Sequence, residues 1–250
     1  MATDRKKIKV GVVGIGHLGN YHLQKYANID HCEIIGVSDT QIEKAKKAAE
    51  LYSCEVFTDH REMLGLVDAV SIAVPTGAHH TVARDFLSAG ADVLIEKPLC
   101  ATLEEADDLL ALAAKNSLVF QVGFVERFNP AVMALEKVIT RPVFIEVHRL
   151  HPFFERGTDV DVILDLMIHD LDIILKFVHS PLTSVEAVGV PVLSDKIDIS
   201  NVRLSFDCGC IANVTASRIS AKTMQKLRFF GPEGYLAVDT RKKEILSLNK

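Results

Sequence analysis

The sequence predicts an α/β chain in two domains, a doubly wound, Rossmann-type parallel sheet followed by an α+β domain with an open, mainly antiparallel sheet. Three observations predict it. Strand-like and helix-like segments alternate from Ile8 to Val122, a glycine-rich turn joins the first strand to the first helix, and closely spaced strands follow after Gly123. The domain boundary is therefore expected at 1–123 and 124–250.

Ile8–Val13 is a short apolar run ending in glycines and reads as the first strand. His17–Ala27 reads as a helix, Glu33–Ser38 as a strand, and Ile42–Leu51 as a helix with Lys and Glu along an exposed face. Val67–Val74 is an apolar run of the kind found in strands buried on both faces. Ala78–Ala89 is expected as a helix, Asp92–Ile95 as a strand, Leu103–Ala114 as a helix and Leu118–Val122 as a strand. Beyond it a helix over Asn129–Val138 leads to a strand over Val143–Leu150 and a long helix over Val160–Val178. Six strands are then expected, Ser184–Val192, Ile199–Phe206, Ile211–Ile219, Met224–Phe230, Tyr235–Asp239 and Glu244–Leu248, joined by turn-forming residues such as Asp207-Cys208-Gly209.

Bulk properties narrow the function classes. A chain of 250 residues with 48% hydrophobic and 24% charged residues can bury a sizeable core. Its net charge of −5 and scattered Lys and Arg lack the basic footprint of a nucleic-acid binder. The charged start is followed by Gly11, Gly14, Gly16 and Gly19 rather than by a signal-peptide core, and no stretch is apolar enough to cross a bilayer. Five cysteines without CxxC spacing fit reduced thiols, so a cytoplasmic protein without a metal site is expected.

Gly14-Ile15-Gly16-His17-Leu18-Gly19 matches G-x-G-x-x-G in the context that gives the pattern meaning, after a strand and at the opening of a helix. Gly14 permits the turn, Gly16 lets the backbone approach a pyrophosphate, and Gly19 lets helix and strand pack closely, while amides around His17 and Leu18 face the anion. Asp39, at the end of the second strand, suits the adenosine ribose hydroxyls and repels a 2′-phosphate. With only Thr40 and Gln41 after it, NAD is expected rather than NADP.

Two candidates carry chemistry. Lys97 ends the strand Val93–Pro98, and ligands of open α/β sheets bind beyond the carboxyl ends of strands. A partly desolvated lysine there can exchange a proton with a substrate hydroxyl; the bland alternative is a solvated loop residue. Asp165 and His169 are four apart on one helical face, where a carboxylate raises the basicity of an imidazole; the bland alternative is a surface ion pair.

Together these segments resemble the Gfo/Idh/MocA (glucose–fructose oxidoreductase / inositol dehydrogenase) family. Four segments match in order, Gly14–Gly19, Val74-Pro75-Thr76 to His79, Glu96-Lys97-Pro98 and Asp165 to His169, and Gly123–Pro130 resembles the family's exit from its Rossmann domain. The resemblance implies a dehydrogenase in which Lys97, Asp165 and His169 form the catalytic group, with Pro75, Thr76, His79, Glu96 and Lys97 at the cofactor cleft. His148–Asp161 resembles members that oxidise UDP-N-acetylglucosamine to its 3-keto form on the way to lipid A. Arg127, Arg149 and Arg156 join Lys97, Asp165 and His169 as substrate-binding candidates, the last two arginines as diphosphate contacts or as surface ion-pair partners. Free-sugar or inositol oxidation, NAD-assisted glycoside cleavage and NAD sensing are the alternatives. Family members usually continue with a helical tail, so the chain is expected either to be a naturally short member or to lack that tail, and an open sheet face points to a homodimer or homotetramer.

Overall fold

Six short strands rich in Val and Ile form the first sheet: β1 (Ile8–Val13), β2 (Cys32–Ser38), β3 (Glu55–Phe57), β4 (Ala69–Ile72), β5 (Asp92–Ile95) and β6 (Phe120–Val122). They lie side by side in the order β3-β2-β1-β4-β5-β6 in this computed structural model, every pairing parallel. Residues 6–154, 160–232 and 234–249 are described. Helices α1 (His17–Tyr26), α2 (Ile42–Tyr52), α3 (His79–Ser88) and α4 (Leu103–Asn116) connect the strands. Val12, Ile72 and Ile95 are fully buried, which is why these runs are continuously apolar rather than alternating. The chain reverses its direction of strand addition between β1 and β4, and open α/β sheets bind ligands at such a switch point.

Register sharpens this. Val13 pairs with Ile72, Ile72 with Ile95, and Ile95 with Val122, so four strands stop in one row. Gly14, Ala73, Glu96 and Gly123 therefore leave the sheet along the same edge. Strand β3 was absent from the sequence expectation, because three residues are too few to show a period.

The second unit, Phe124–Lys250, is a compact body of its own beside Met1–Gly123. After α5 (Pro130–Leu135) come β7 (Phe144–Leu150), α6 (Ile168–Phe177), β8 (Leu182–Val190), β9 (Ile199–Phe206), β10 (Ile211–Ser217), β11 (Met224–Gly231), β12 (Gly234–Asp239) and β13 (Glu244–Asn249). Their order is β13-β12-β11-β7-β10-β9-β8, antiparallel except for the central β7–β10 pair. Alternate residues such as Val147, Val214, Leu204 and Phe229 pack with Val132, Ile173, Ile174 and Phe177, while Glu146, His148, Arg203 and Arg228 lie half-buried on the other face.

The expected long helix is not continuous. Ile163–Met167 form a π turn, and regular α-helix begins at Ile168. Such turns are rare and concentrate at functional sites. The approach to it is pinned from outside. Val162 N–H donates to Ile197 O at 2.9 Å, Ile197 N–H to Asp161 Oδ1 at 2.9 Å, and the Arg218 Nη1 to Val160 O at 2.9 Å. Arg218 also donates from Nε to Asp198 Oδ1 at 2.8 Å, and Asp198 Oδ2 accepts the amides of Val192, Leu193 and Ser194 at 2.8, 2.7 and 2.9 Å. Burial alone would raise the Asp198 pKa, but the Ser194 hydroxyl, Arg218 and these amides hold it far below the carboxylate range.

Removing one partner of a buried pair leaves a charge without compensation. Asp198→Asn is expected to lower unfolding free energy by about 3 kcal/mol. The chain has no Trp, so urea unfolding followed by circular dichroism is the measurement. A loss below about 1 kcal/mol contradicts the pinning role.

Candidate active site

The glycine loop is built from three different requirements. Gly14 has φ +89°, and a Cβ on it would lie 2.6 Å from Ala73 O. A Cβ on Gly19 would lie 1.9 Å from Gly14 O, so helix α1 can approach β1 only with glycine there. Gly16 differs: no described atom lies within 4 Å of its Cβ position, and its backbone is extended. Nothing in the protein itself needs Gly16 bare. The open space lies at the N-terminus of α1, whose first turn carries no acidic residue, which is the arrangement that receives a phosphate.

Asp39 leaves the end of β2 half-buried and reaches that loop. Its Oδ2 accepts Ile15 N–H at 2.7 Å and its Oδ1 accepts Gln41 N–H at 2.7 Å, so the carboxylate fixes the loop as well as standing where a ribose would bind. A cavity of about 400 Å³ opens beside Gly16, His17 and Asn20, walled on the other side by Lys44 and Lys47 of α2. The lysines expected along an outer helix face thus partly line the cleft. The bare face of Gly16, the amides of α1 and the Asp39 carboxylate together fit NAD. Another cavity, about 360 Å³ between residues 138–142 and β11–β12, contains none of the predicted site residues.

At the other strand ends the predicted residues divide. Pro75 is exposed and Thr76, largely buried, opens the turn after β4. Lys97 is half-buried at the row of strand ends. His79 is 1% exposed, with Nδ1 2.8 Å from Pro98 O and Nε2 3.0 Å from Val74 O, so its ring is engaged with the framework beside the strand ends. Glu96 is engaged in the same way. It is 5% exposed, and its Oε1 lies 2.9 Å from Nε2 of His22 on α1.

In the second unit Asp165 sits in the π turn and His169 in the first turn of α6, both half-buried. Neighbouring carboxylates have other partners. Asp170 takes Arg149 in a two-pronged pair, Nε to Oδ2 and Nη2 to Oδ1 at 2.8 Å each, with the Glu126 carboxylate 3.9 Å from the same Nη2. Asp172 takes Arg127 in the same way at 2.6 Å twice. Arg149 is 3% exposed and forms a buried ion pair, which is the second of the two roles open to it from the sequence. Arg127 keeps an exposed flank, and Arg156 lies outside the described residues.

One titratable group was missed. His151 follows β7, and its Nε2 lies 2.9 Å from the Gln225 amide nitrogen. An amide nitrogen only donates, so this ring nitrogen accepts; Thr240 Oγ1, donating to Gln225 Oε1 at 3.4 Å, orients the amide. Burial pushes the His151 pKa down, Arg149 and Arg241 push the same way, and Asp165 opposes them. His151 stood in the stretch singled out from sequence, but nothing local announced its partners. Among the described residues no cluster of His, Cys, Asp or Glu is placed to hold a metal ion, and all five cysteines are free.

A glycine loop at the switch point of a parallel sheet, with Asp39 bound to it, followed by a helix-on-sheet domain, is the arrangement of an NAD-binding oxidoreductase. Residues 8–124 match the oxidoreductase family with an NAD-binding Rossmann fold, and residues 136–237 match the C-terminal domain of the same Gfo/Idh/MocA family. The chain belongs to that family. It is 40% identical over 233 residues to the UDP-N-acetylglucosamine 3-dehydrogenase of Acidithiobacillus ferrooxidans, spanning 93% of this chain and 74% of that one. A solved structure of that enzyme superposes with a TM-score of 0.92 at 38% identity, covering 97% of this chain and 80% of the other. The NAD-dependent scyllo-inositol 2-dehydrogenase of Bacillus subtilis is 25% identical over 97% of this chain and 77% of its own length. The cofactor is NAD, and the protein is a dehydrogenase.

Two outcomes follow. Gly16→Val is expected to leave the melting temperature within about 2 °C while weakening NAD binding at least about 10-fold, whereas Gly19→Ala destabilises the fold itself. Calorimetric titration beside thermal melts checks this, and equal effects of the two changes contradict it. For His151 the folded pKa lies below the ordinary 6.5, so the unfolded chain binds more protons as pH falls through 6.5 and stability drops there. His151→Asn should flatten that drop in melts recorded between about pH 5 and pH 7.

Proposed function

We propose that this dehydrogenase oxidises the 3-hydroxyl of UDP-N-acetylglucosamine to the ketone, producing the sugar that is aminated for lipid A. The 40% identity over 93% of the chain to an enzyme of that name carries the proposal. NAD, held by the Gly14–Gly19 loop and Asp39, supplies the hydride acceptor. His169 takes the hydroxyl proton, and Asp165 raises the basicity of the imidazole and stabilises the cation formed. Lys97, from the first unit, donates a hydrogen bond to the substrate oxygen as it becomes a carbonyl. Arg156 is assigned a diphosphate contact, and the exposed flank of Arg127, its charge balanced by Asp172, is assigned a hydrogen bond to the substrate.

Residues 1–123 serve the cofactor and residues 124–250 the substrate and assembly. A homodimer or homotetramer forming through the open face of the second sheet, which carries Glu146, His148, Arg203 and Arg228, agrees with its half-buried polar character. Among the described residues no helix is long and apolar enough to cross a membrane, and a cytoplasmic location suits the substrate.

Net NADH formation decides. UDP-N-acetylglucosamine should yield NADH where myo-inositol, scyllo-inositol and glucose do not. Turnover of inositol alone would transfer the chain to the inositol dehydrogenases, and glycoside cleavage without net NADH would overturn the dehydrogenase chemistry. His169→Asn and Lys97→Met should each lower kcat about 100-fold or more, with smaller changes in KM.

A further inference from the structure

Two imidazoles outside the catalytic group bracket Lys97. A lysine reaches its target on a flexible four-carbon stem, so the position of its amine depends on how firmly the backbone beneath it is held. On the N-terminal side, Glu96 N–H donates to Ile72 O at 3.0 Å, which ties this residue to β4. Its carboxylate meets Nε2 of His22 at 2.9 Å, with side-chain exposures of only 7% for Glu96 and 14% for His22. Gly123 closes the other side: a Cβ there would come within 3.1 Å of Oε2. The carboxylate is thus wedged between α1 and the turn after β6.

On the C-terminal side, Pro98 O lies 2.8 Å from Nδ1 of His79 and Leu99 O lies 3.3 Å from the same atom, while Nε2 of that ring lies 3.0 Å from Val74 O. A carbonyl only accepts, so the ring donates its N–H among these carbonyls while it fills the space between the turn after β5 and the end of β4. Helix α1 carries the glycine loop at its N-terminus, and α3 begins with His79 itself. The elements that shape the cofactor cleft are therefore fastened to the residues immediately before and after Lys97.

We infer that His22 and His79 are positioning residues for Lys97, holding Glu96 and Pro98 so that the amine keeps a fixed relation to the NAD loop. The inference rests on the catalytic role proposed for Lys97. Neither imidazole is assigned contact with substrate or cofactor.

His22 is the residue to vary, because His79 is fully buried and its loss puts folding at risk. His22→Leu removes the contact at similar volume, and His22→Gln restores an amide donor of useful length. His22→Asn, too short to reach, is the second variant if His22→Leu does not fold. The leucine form should lower kcat about 10- to 100-fold with the NAD dissociation constant and the sugar KM within about 3-fold, since a misplacement near 1 Å costs that much. The glutamine form should recover most of the loss.

A reading independent of turnover is trace acetylation of the NAD-bound protein, with labelling at Lys97 compared by mass spectrometry with Lys115 and Lys137. Lys97 labelling should change at least about 3-fold in His22→Leu and the reference lysines should not. A kcat within two-fold of wild type, a loss shared equally by kcat and NAD binding, glutamine no better than leucine, or unchanged Lys97 labelling would each overturn the inference. If wild type oxidises no sugar, the substrate reading fails while the labelling comparison still decides whether His22 holds Lys97.

Discussion

Four parallel strands that stop at one level set the terms for the first unit. Parallel hydrogen bonding spaces its partners evenly, so once Val13, Ile72, Ile95 and Val122 share a row, the next residue of each strand must emerge along one edge. That edge carries the glycine loop after β1, the Pro75–Thr76 turn after β4 and Lys97 after β5. None of these has to be brought there by a loop searching for its place. The cost lies in the backbone polar groups that leave the ladder, and the protein meets it locally. Gly14 N–H donates to Ser38 O at 2.8 Å, Gly123 N–H to Ile95 O at 2.7 Å, and the His79 ring lies against the Pro98 and Val74 carbonyls.

The second unit solves a different problem, which is how to keep a helix dense in carboxylates against a sheet. Asp170 and Asp172 are both buried. Burying an ionised carboxylate is tolerable only with a partner of matching geometry, and the guanidinium fork of Arg149 or Arg127 provides two aligned donors to each. These pairs fix the rotation of α6 about its axis, because an α-helix turned by one residue would take both carboxylates from their forks. The rotation of α6 in turn determines where His169 points. Stability and catalysis are linked here through geometry rather than through shared residues.

Much of this was legible. Apolar runs and their spacing gave the alternation of the first unit, and the G-x-G-x-x-G pattern gave the switch-point cleft, because both depend on neighbours in sequence. The π turn at Ile163–Met167 was not legible, since its cause is tertiary: Val160, Asp161 and Val162 are gripped by Arg218 and Ile197, far away along the chain. Strand β3 was too short to show a period. The partners of Arg149, His79 and Glu96 were not legible for a common reason. A motif reports that a residue belongs to a neighbourhood, whereas facing a ligand or bracing the wall depends on partners as distant as Asp170, Pro98 and His22.

That distinction separates the carboxylates clustered around the π turn. Asp161 holds the amide of Ile197, Asp170 and Asp172 neutralise arginines, and Asp198 clamps three amides and Arg218. Each of these could be exchanged for a different means of support without changing what the protein does. Asp165 differs in its electrostatic surroundings. It acts on His151, whose ring is otherwise disfavoured as a cation by burial and by two arginines, and it stands four residues before His169. A carboxylate near a buried imidazole favours its cation, so Asp165 offsets part of what burial and the arginines impose on His151. His151, with Nε2 already accepting from Gln225, is committed to donating from its other nitrogen, so Asp165 meets a ring whose tautomer is fixed by Gln225.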